Sequence, residues 1–537
     1  MTKTTETPGL LRHEALVRGL LRPQAYPEAV DRVERIDTHI STVLLAGPHV
    51  YKLKKPLCLG FLDFSTLAKR RQACEDEIRL NRRTAPGIYL DVVRITGSIE
   101  APCIESDPTQ GHGGDVLEYA VRMRRFDPNL TLDRLALRGE LTAPVVDDLA
   151  IAVARLHEQA PRAGPDLGSP AQIEHWTQEN FLAMRDHVNS AADRARLDAL
   201  EAWTQAEARS RAALMRERVA AGRVRECHGD LHLGNIVMLD GVPVIFDAVE
   251  FNIELRCIDV INDVAFTFMD LHDHGLPRQG WRFVNSYLER TGDYEALPLL
   301  RFYAIYRALV RAKVALIRLR QPQLSHHVRL REHTTFEHYL ALAERLCQPG
   351  DAIVIAMSGL SGSGKSTVAR CLAETLGGVR VRSDVERKRL FGLAPNVISQ
   401  GDIYTAEATV RTYARLTDCA RTIVSAGLPV VLDAASLRRD ERQAFRAVAD
   451  RLGIASALVV CEAPLDVLRA RVASRATRGD DASEAGLAVL ERQIAWREPL
   501  DQDEQRHAHV IDTAGTPEQL EESCVQLGRL LQLATSR

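Results

Sequence analysis

The sequence predicts two domains of different class. An α+β domain, strand-rich and then helical, precedes an α/β domain with a parallel, doubly wound sheet. Three observations lead there. At 537 residues the chain exceeds one ordinary core. Strand-like alternation fills the N-terminal part and yields to helical periodicity from Pro144 onward. After a Pro-Gly break at Gln348-Pro-Gly-Asp351, short apolar strands and helices alternate to the end. The boundary therefore falls at this break, giving domains 1–347 and 348–537.

The elements follow in order. Val33 to Lys54 reads as a strand pair around the turn Gly47-Pro48, with alternation at Val43, Leu45 and Val50 to Leu53. A charged helix covers Thr66 to Arg83, and strands recur near Val92–Ile95 and Tyr119–Met123. Apolar stripes near a 3.6 period mark helices at Val145–Glu158, Ile173–Val188 and Ala191–Val219. A hairpin within Cys227–Phe246 interrupts the helices, which resume to about Leu346. The second domain alternates a strand at Ala352–Ser358, a helix from Thr367, and strands at Val379–Ser383, Pro429–Ala434, Ala455–Glu462 and Val510–Asp512.

Composition narrows the class. Hydrophobic residues at 45% and charged residues at 26% exclude a disordered chain. A net charge of −3 supplies no bulk basic field for nucleic acid or an anionic membrane. A nucleotide or polynucleotide acceptor needs only a local groove and stays open. The ten cysteines are scattered singly from Cys58 to Cys524, without CxxC pairs, which fits reduced thiols in the cytoplasm. Met1 to Leu16 lacks the apolar core of a secretory signal, and no run reaches membrane-span length.

Two phosphate-transfer signatures decide the chemistry. The first is His228-Gly-Asp-Leu-His-Leu-Gly-Asn235, followed by Ile245-Phe-Asp247. Phosphoryl transfer to a hydroxyl needs a carboxylate at the acceptor and oxygen ligands for magnesium at the ATP phosphates. Asp230 suits the first task, and Asn235 and Asp247 the second, on two antiparallel strands turning at Gly241. Tyr51-Lys-Leu-Lys-Lys55 offers a phosphate-binding lysine, which Glu77 on the next helix can pair. Lys52 and Lys54 share one strand face, so both remain candidates.

Residues 25–345 resemble the aminoglycoside phosphotransferase and choline kinase-like branch of the protein-kinase-like fold. The resemblance implies that Asp230 is the catalytic Asp, Asn235 and Asp247 the metal ligands, and Lys52 the phosphate-binding Lys. It implies a hinge for adenine at Glu118–Met123. The first turn departs from the pattern, because Asp37-Thr-His-Ile-Ser-Thr42 replaces a GxGxxG loop. Arginines at Arg307, Arg311 and Arg318 recur along one helix. That spacing suits an anionic acceptor or, as the default, an ion-paired face.

The second signature is Gly359-Leu-Ser-Gly-Ser-Gly-Lys-Ser366, after the strand Ile353–Met357 and before a helix. This is the context of a P-loop, in which backbone N–H groups curl around phosphates. Gly359, Gly362 and Gly364 permit the curl, Lys365 reaches the β and γ phosphates, Ser366 binds magnesium, and Thr367 continues the nucleotide contacts. Asp384 ends the next strand, where an open α/β sheet presents its acceptor site, and Arg387 follows one helical turn later. Asp433 closes the following strand as a magnesium partner. Arg471, Arg475 and Arg478 share a helical face and predict a lid over ATP.

Residues 350–535 are similar to small P-loop kinases of the gluconate kinase, polynucleotide kinase and zeta-toxin group. In full order the chain looks like bacterial fusions of an aminoglycoside phosphotransferase-like domain with an AAA-type ATP-binding domain. The implied activity is an ATP- and Mg2+-dependent kinase with two nucleotide sites and small-molecule hydroxyl acceptors. Two alternatives stand beside it. In one, the P-loop half alone turns over while the first half binds substrate. In the other, the chain senses nucleotide without transfer.

Overall fold

The computed structural model describes residues 8–105, 115–188, 190–319, 325–348, 350–395, 397–399, 403–478 and 482–535. Pro349, part of the break placed between the domains, lies outside them. By compactness the chain forms two units. The first holds residues 1–141, 155–172 and 214–263; the second holds 142–154, 173–213 and 264–537.

The first unit is built on an antiparallel sheet beside helix α1 (Pro8–Leu20). Val33–Lys54 forms three strands, where two were expected: β1 (Val33–Asp37), β2 (Ser41–Ala46) and β3 (His49–Lys54). The extra turn closes at Thr38, whose N–H bonds Ser41 O at 2.9 Å. Polar residues Asp37 to His39 hide it from a pattern of apolar alternation. A two-residue hairpin, β4 (Cys58–Leu59) and β5 (Leu62–Asp63), leads to helix α2 (Leu67–Asn81). Strands β6 (Tyr89–Gly97), β7 (Pro102–Glu105) and β8 (Glu118–Arg124) complete the sheet in the order β1-β2-β3-β8-β6-β7.

Alternation along β3 decides what faces the site. Tyr51 and Leu53 bury in the core that includes Leu16, Val17 and Leu20 of α1. Lys52 and Lys54 point to the other face, where α2 packs Cys74 and Ile78 against Tyr89 and Val121. The Thr66 side chain caps α2 by accepting from Lys69 N at 3.3 Å. The strand expected near Tyr119–Met123 is β8, between β3 and β6, so the segment assigned to a hinge, Glu118–Met123, lies within the sheet. Its Glu118 is buried and bonded to Arg70 at 2.8 Å, and the chain leaves the strand only at Arg125, whose N–H bonds Pro48 O.

Helices α3 (Leu132–Leu137), α4 (Ala143–Gln159), α5 (Pro170–Arg185) and α6 (Ala191–Ala220) follow. Strand β9 (Val224–Glu226) then enters the first signature, and the hairpin β10 (Ile236–Leu239) and β11 (Val242–Ile245) leaves it. The connecting Asp240 and Gly241 have φ of 50° and 80°, the two positive values that match a tight turn to the strand twist. Helix α7 (Ile253–Arg256) and strand β12 (Cys257–Asp259) close the unit, β12 pairing with β9.

Helices α8 (Val260–Asp273), α9 (Pro277–Thr291), α10 (Leu297–Leu319) and α11 (His326–Cys347) carry the chain onward. The arginines of α10 are engaged by neighbouring side chains, with Arg307 buried and Arg318 exposed. Arg307 is buried over the Phe266 ring at 4.9 Å, Arg311 lies 3.3 Å from the Tyr339 hydroxyl, and Arg318 pairs with Glu332.

The α/β part has five parallel strands: β13 (Ile353–Ser358), β14 (Val379–Arg382), β15 (Val430–Asp433), β16 (Ala455–Glu462) and β17 (Ala508–Asp512). Their order is β14-β15-β13-β16-β17, and every residue of central β13 is buried, as a sheet covered on both faces requires. Around it run α12 (Lys365–Leu376), α13 (Ser383–Leu390), α14 (Ala406–Ser425), α15 (Arg439–Leu452), α16 (Leu465–Arg478), α17 (Leu487–Trp496), α18 (Gln502–His507) and α19 (Pro517–Thr535). The order brings the ends of β13, β14 and β15 side by side. The helical region groups with this sheet because α9 lies along edge strand β14, so compactness divides the chain ahead of residue 348.

Candidate functional sites

In the first unit, buried Asp263 fixes the loop after β9. It accepts from the N–H groups of His228 at 2.7 Å and Gly229 at 2.9 Å. His228 Nε2 lies 2.9 Å from Phe246 O, tying the loop to the exit of β11. Asp230 is left with a side chain 41% exposed, open to an acceptor. Asn235 Nδ2 donates to Asp230 O at 2.9 Å and to its carboxylate at 3.2 Å, which turns the Asn235 amide oxygen away from Asp230.

Asp247 has φ of 64°, a left-handed backbone that Asp tolerates better than bulkier residues. Its N–H donates to the Tyr89 hydroxyl, and Asn81 Oδ1 accepts from Ala248 N. Lys52 Nζ sits 2.5 Å from Asp247 Oδ1 and 2.9 Å from Glu77 Oε1. Burial is the largest influence and acts to raise the Asp247 pKa, but the Lys52 charge and hydrogen bond, with Lys54 and His228, together hold the carboxyl below its usual range. The structure thus joins Lys52, Glu77 and Asp247 directly and places Asp230 and Asn235 on the adjoining loop.

Lys54 has a different place. It is fully buried and bonded to both Glu77 and Glu250. Burial would lower its pKa, yet Glu250 and Glu77 raise it, so the ammonium is kept charged. Burial raises the Glu250 pKa, with Lys54 opposing. Glu250 escaped the sequence reading although it stands three residues after Asp247; one exposed acid and one buried acid look alike in sequence. Lys54→Met should leave Glu250 buried without its lysine and Glu77 with Lys52 alone, destabilising the fold by about 3–5 kcal/mol. Urea unfolding followed by circular dichroism checks this, and an unchanged midpoint would mean the pair contributes nothing.

In the second unit, Gly359, Gly362 and Gly364 have φ of 150°, 83° and 75°. At Gly362 a Cβ would lie 2.8 Å from Leu468 O, so the loop needs glycine there for close approach as well as for φ. Gln493 Oε1 accepts from Ser361 N at 2.8 Å. Lys365 Nζ donates to Leu360 O at 2.8 Å; burial lowers its pKa, and Asp433 and Asp384 oppose the shift.

A cavity of about 1900 Å³ opens beyond the loop. Lys365, Ser366, Asp384, Arg387 and Asp433 all line it, with Gly362, Gly364, Thr367, Arg471 and Arg475 also on its wall. Gly359 lies behind, against Cys461 O. Asp433 is buried, and its Oδ2 has no hydrogen-bond partner among the described residues. A buried, unsatisfied carboxylate oxygen on the cavity that Ser366 also lines fits a divalent cation. Arg387 is 7% exposed, donates to Ile403 O at 3.0 Å, stacks over Tyr404, and keeps an unpartnered Nε.

The arginine face expected to form a lid is held in place. Arg471 donates to Thr513 O at 2.6 Å and reaches Gly362 O at 3.4 Å, pinning the end of β17 to the phosphate loop. Arg475 bonds Ala485 O at 2.8 Å. The Arg478 side chain and residues 479–481 lie outside the described residues.

Comparison with known proteins assigns a family model to part of each half of the chain. The model of the phosphotransferase enzyme family matches residues 109–302, and that of an AAA domain matches 354–500. An uncharacterised protein of Mycobacterium tuberculosis (strain H37Rv) is 31% identical over 493 residues, 90% of this chain and 92% of the relative. A Mycobacterium bovis protein is equally similar. The chain belongs to that family. Its first domain is aminoglycoside phosphotransferase-like and its second a P-loop domain of kinase type. Among solved structures, a Sinorhizobium meliloti gluconokinase is similar over 35% of this chain and 95% of its own, at 21% identity and TM-score 0.26. A Plasmodium vivax ethanolamine kinase is similar over 60% of this chain and 83% of its own, at 11% identity and TM-score 0.36. No described helix is long and apolar enough to cross a membrane, and all ten cysteines are free.

Proposed function

We propose that the protein is a cytoplasmic, ATP-dependent phosphotransferase with two nucleotide sites, each passing the γ-phosphate to the hydroxyl of a small molecule. Residues 1–347 and 348–537 each carry one site. The observation that carries the reading is the shared cavity: Asp384 and Arg387 for an acceptor open onto the same space as Lys365, Ser366 and Asp433 for a nucleotide.

In the P-loop site, Lys365 and the loop N–H groups bind the phosphates, and Asp384 accepts the acceptor proton as the hydroxyl oxygen attacks the γ-phosphorus. Ser366 and Asp433 would hold magnesium. In the first site, Lys52 binds the phosphates, Asp230 receives the acceptor proton, and Asn235 with Asp247 would hold the metal. Magnesium would supply charge neutralisation at the ATP phosphates.

Labelled ATP with a metabolite library identifies each acceptor, using the wild type, Asp230→Asn and Lys365→Ala. Label transferred by neither half would defeat the reading, and transfer lost only in Lys365→Ala would leave the P-loop half as the sole enzyme. Once its acceptor is known, Asp384→Asn should lower kcat by about 10²–10⁴-fold. Arg387→Lys keeps the charge but not the planar fork, so acceptor KM should rise more than ATP KM. Equal effects on both KM values would place Arg387 outside the acceptor pocket.

A further inference from the structure

Helix α9, from the helical region ahead of the P-loop strand, is bonded to the open edge of β14. Asn285 Oδ1 accepts from Arg380 N at 2.7 Å, and Asn285 Nδ2 donates to Gly378 O at 3.0 Å. One side-chain amide thus replaces part of a missing strand. One helical turn later stands Glu289, a residue that the phosphoryl-transfer machinery does not itself include.

Glu289 divides two arginines of β14. Its Oε2 accepts from Arg380 Nη2 at 2.7 Å, and its Oε1 accepts from Arg382 Nη1 at 2.7 Å. Both arginines lead to the metal-site candidates. Arg380 Nη1 donates to Ser366 O at 3.1 Å, in the first turn of α12. Arg382 Nε makes a long ion pair with Asp433 Oδ2 at 3.8 Å, beyond hydrogen-bond length. Alternation along β14 puts Arg380 and Arg382 on one face, so a single carboxylate reaches both.

We infer that Glu289 is a positioning residue of the P-loop site: it holds Arg382 back from Asp433, leaving that carboxylate open to magnesium, while Arg380 braces the turn carrying Ser366. Without Glu289, Arg382 loses a carboxylate that draws it away from Asp433, and an arginine closing on Asp433 competes with the cation. A residue outside the α/β domain therefore sets the metal response of the site inside it. The inference rests on the reading of this cavity as a magnesium–nucleotide site.

The test is calorimetric binding of ADP, with and without magnesium, to the full chain carrying Asp247→Ala to silence metal-dependent binding at the other site. Glu289→Gln should raise the magnesium concentration for half-maximal enhancement by about 10–100-fold. Metal-free ADP affinity should stay within about twofold, the separation a merely structural role would not produce. Adding Arg382→Gln to Glu289→Gln removes the competing cation and should restore the wild-type magnesium response. Arg382→Gln alone, which leaves the Glu289–Arg380 bond intact, should bind magnesium no worse than wild type. It keeps the idea testable even where Glu289→Gln fails to fold. An unchanged magnesium response in Glu289→Gln, equal losses with and without metal, no restoration in the double variant, or a weaker response in Arg382→Gln would each overturn the inference. A wild type whose ADP affinity ignores magnesium would overturn the metal-site reading itself, and this inference with it.

Discussion

Lys365→Ala should remove one of two nucleotide equivalents and leave the other intact. The basis is separation: Lys365 opens α12 directly after the phosphate loop, while Lys52 and Asp247 belong to β3 and the exit of β11. Lys365 should bond both the β and γ phosphates, and hydrogen bonds to charged groups contribute about 1.5–3 kcal/mol each. Losing two should weaken binding at this site by at least about 100-fold. Titration with a non-hydrolysable ATP analogue and magnesium should fall from two equivalents to one. A wild-type stoichiometry of one would refute the two-site reading.

How far these sites were legible in sequence depends on what set each residue's place. Motif residues were readable because chemistry fixes both type and spacing. Asp230 and Asn235 lie on one short loop, and Lys365 and Ser366 open one helix, so local sequence defines their relative positions. The parallel sheet was readable for a similar reason: β13 is apolar throughout and is followed at once by a glycine loop and a helix. Residues acting across long separations were not. Lys52 and Lys54 are equivalent by strand periodicity, and only Asp247 and Glu250, nearly two hundred positions away in sequence, distinguish them. Asp263 and Glu289 carry no motif at all; each is an ordinary acid on an amphipathic helix until tertiary structure shows what it accepts from. Tyr119–Met123 was legible as strand from its alternation, whereas the buried Glu118–Arg70 pair beside it is a long-range contact with no local signal. Arg471 looked mobile in sequence because nothing local shows that Thr513 ties it down.

The same logic gives the sharpest expectation for the first site. Asp230→Asn should abolish transfer to its acceptor while magnesium–nucleotide binding persists. Asp230 contacts neither Lys52 nor Asp247 in any described hydrogen bond; its polar neighbours are Asn235, His228 and His232. Asparagine preserves size and can still accept from Asn235 Nδ2, so the loop anchored by Asp263 should not move. What disappears is the negative oxygen that receives the acceptor proton. General-base removal costs about 10²–10⁴-fold in rate. Asp247→Ala should behave differently, because it removes a candidate metal ligand and the partner of Lys52 at once. In that variant magnesium should no longer strengthen nucleotide binding at this site. Single-turnover transfer and calorimetric binding, run on both variants with Lys365→Ala silencing the P-loop site, separate the two roles. If Asp230→Asn transferred phosphate at the wild-type rate, the acceptor proton would be leaving by another route and the loop would be a nucleotide-binding element alone.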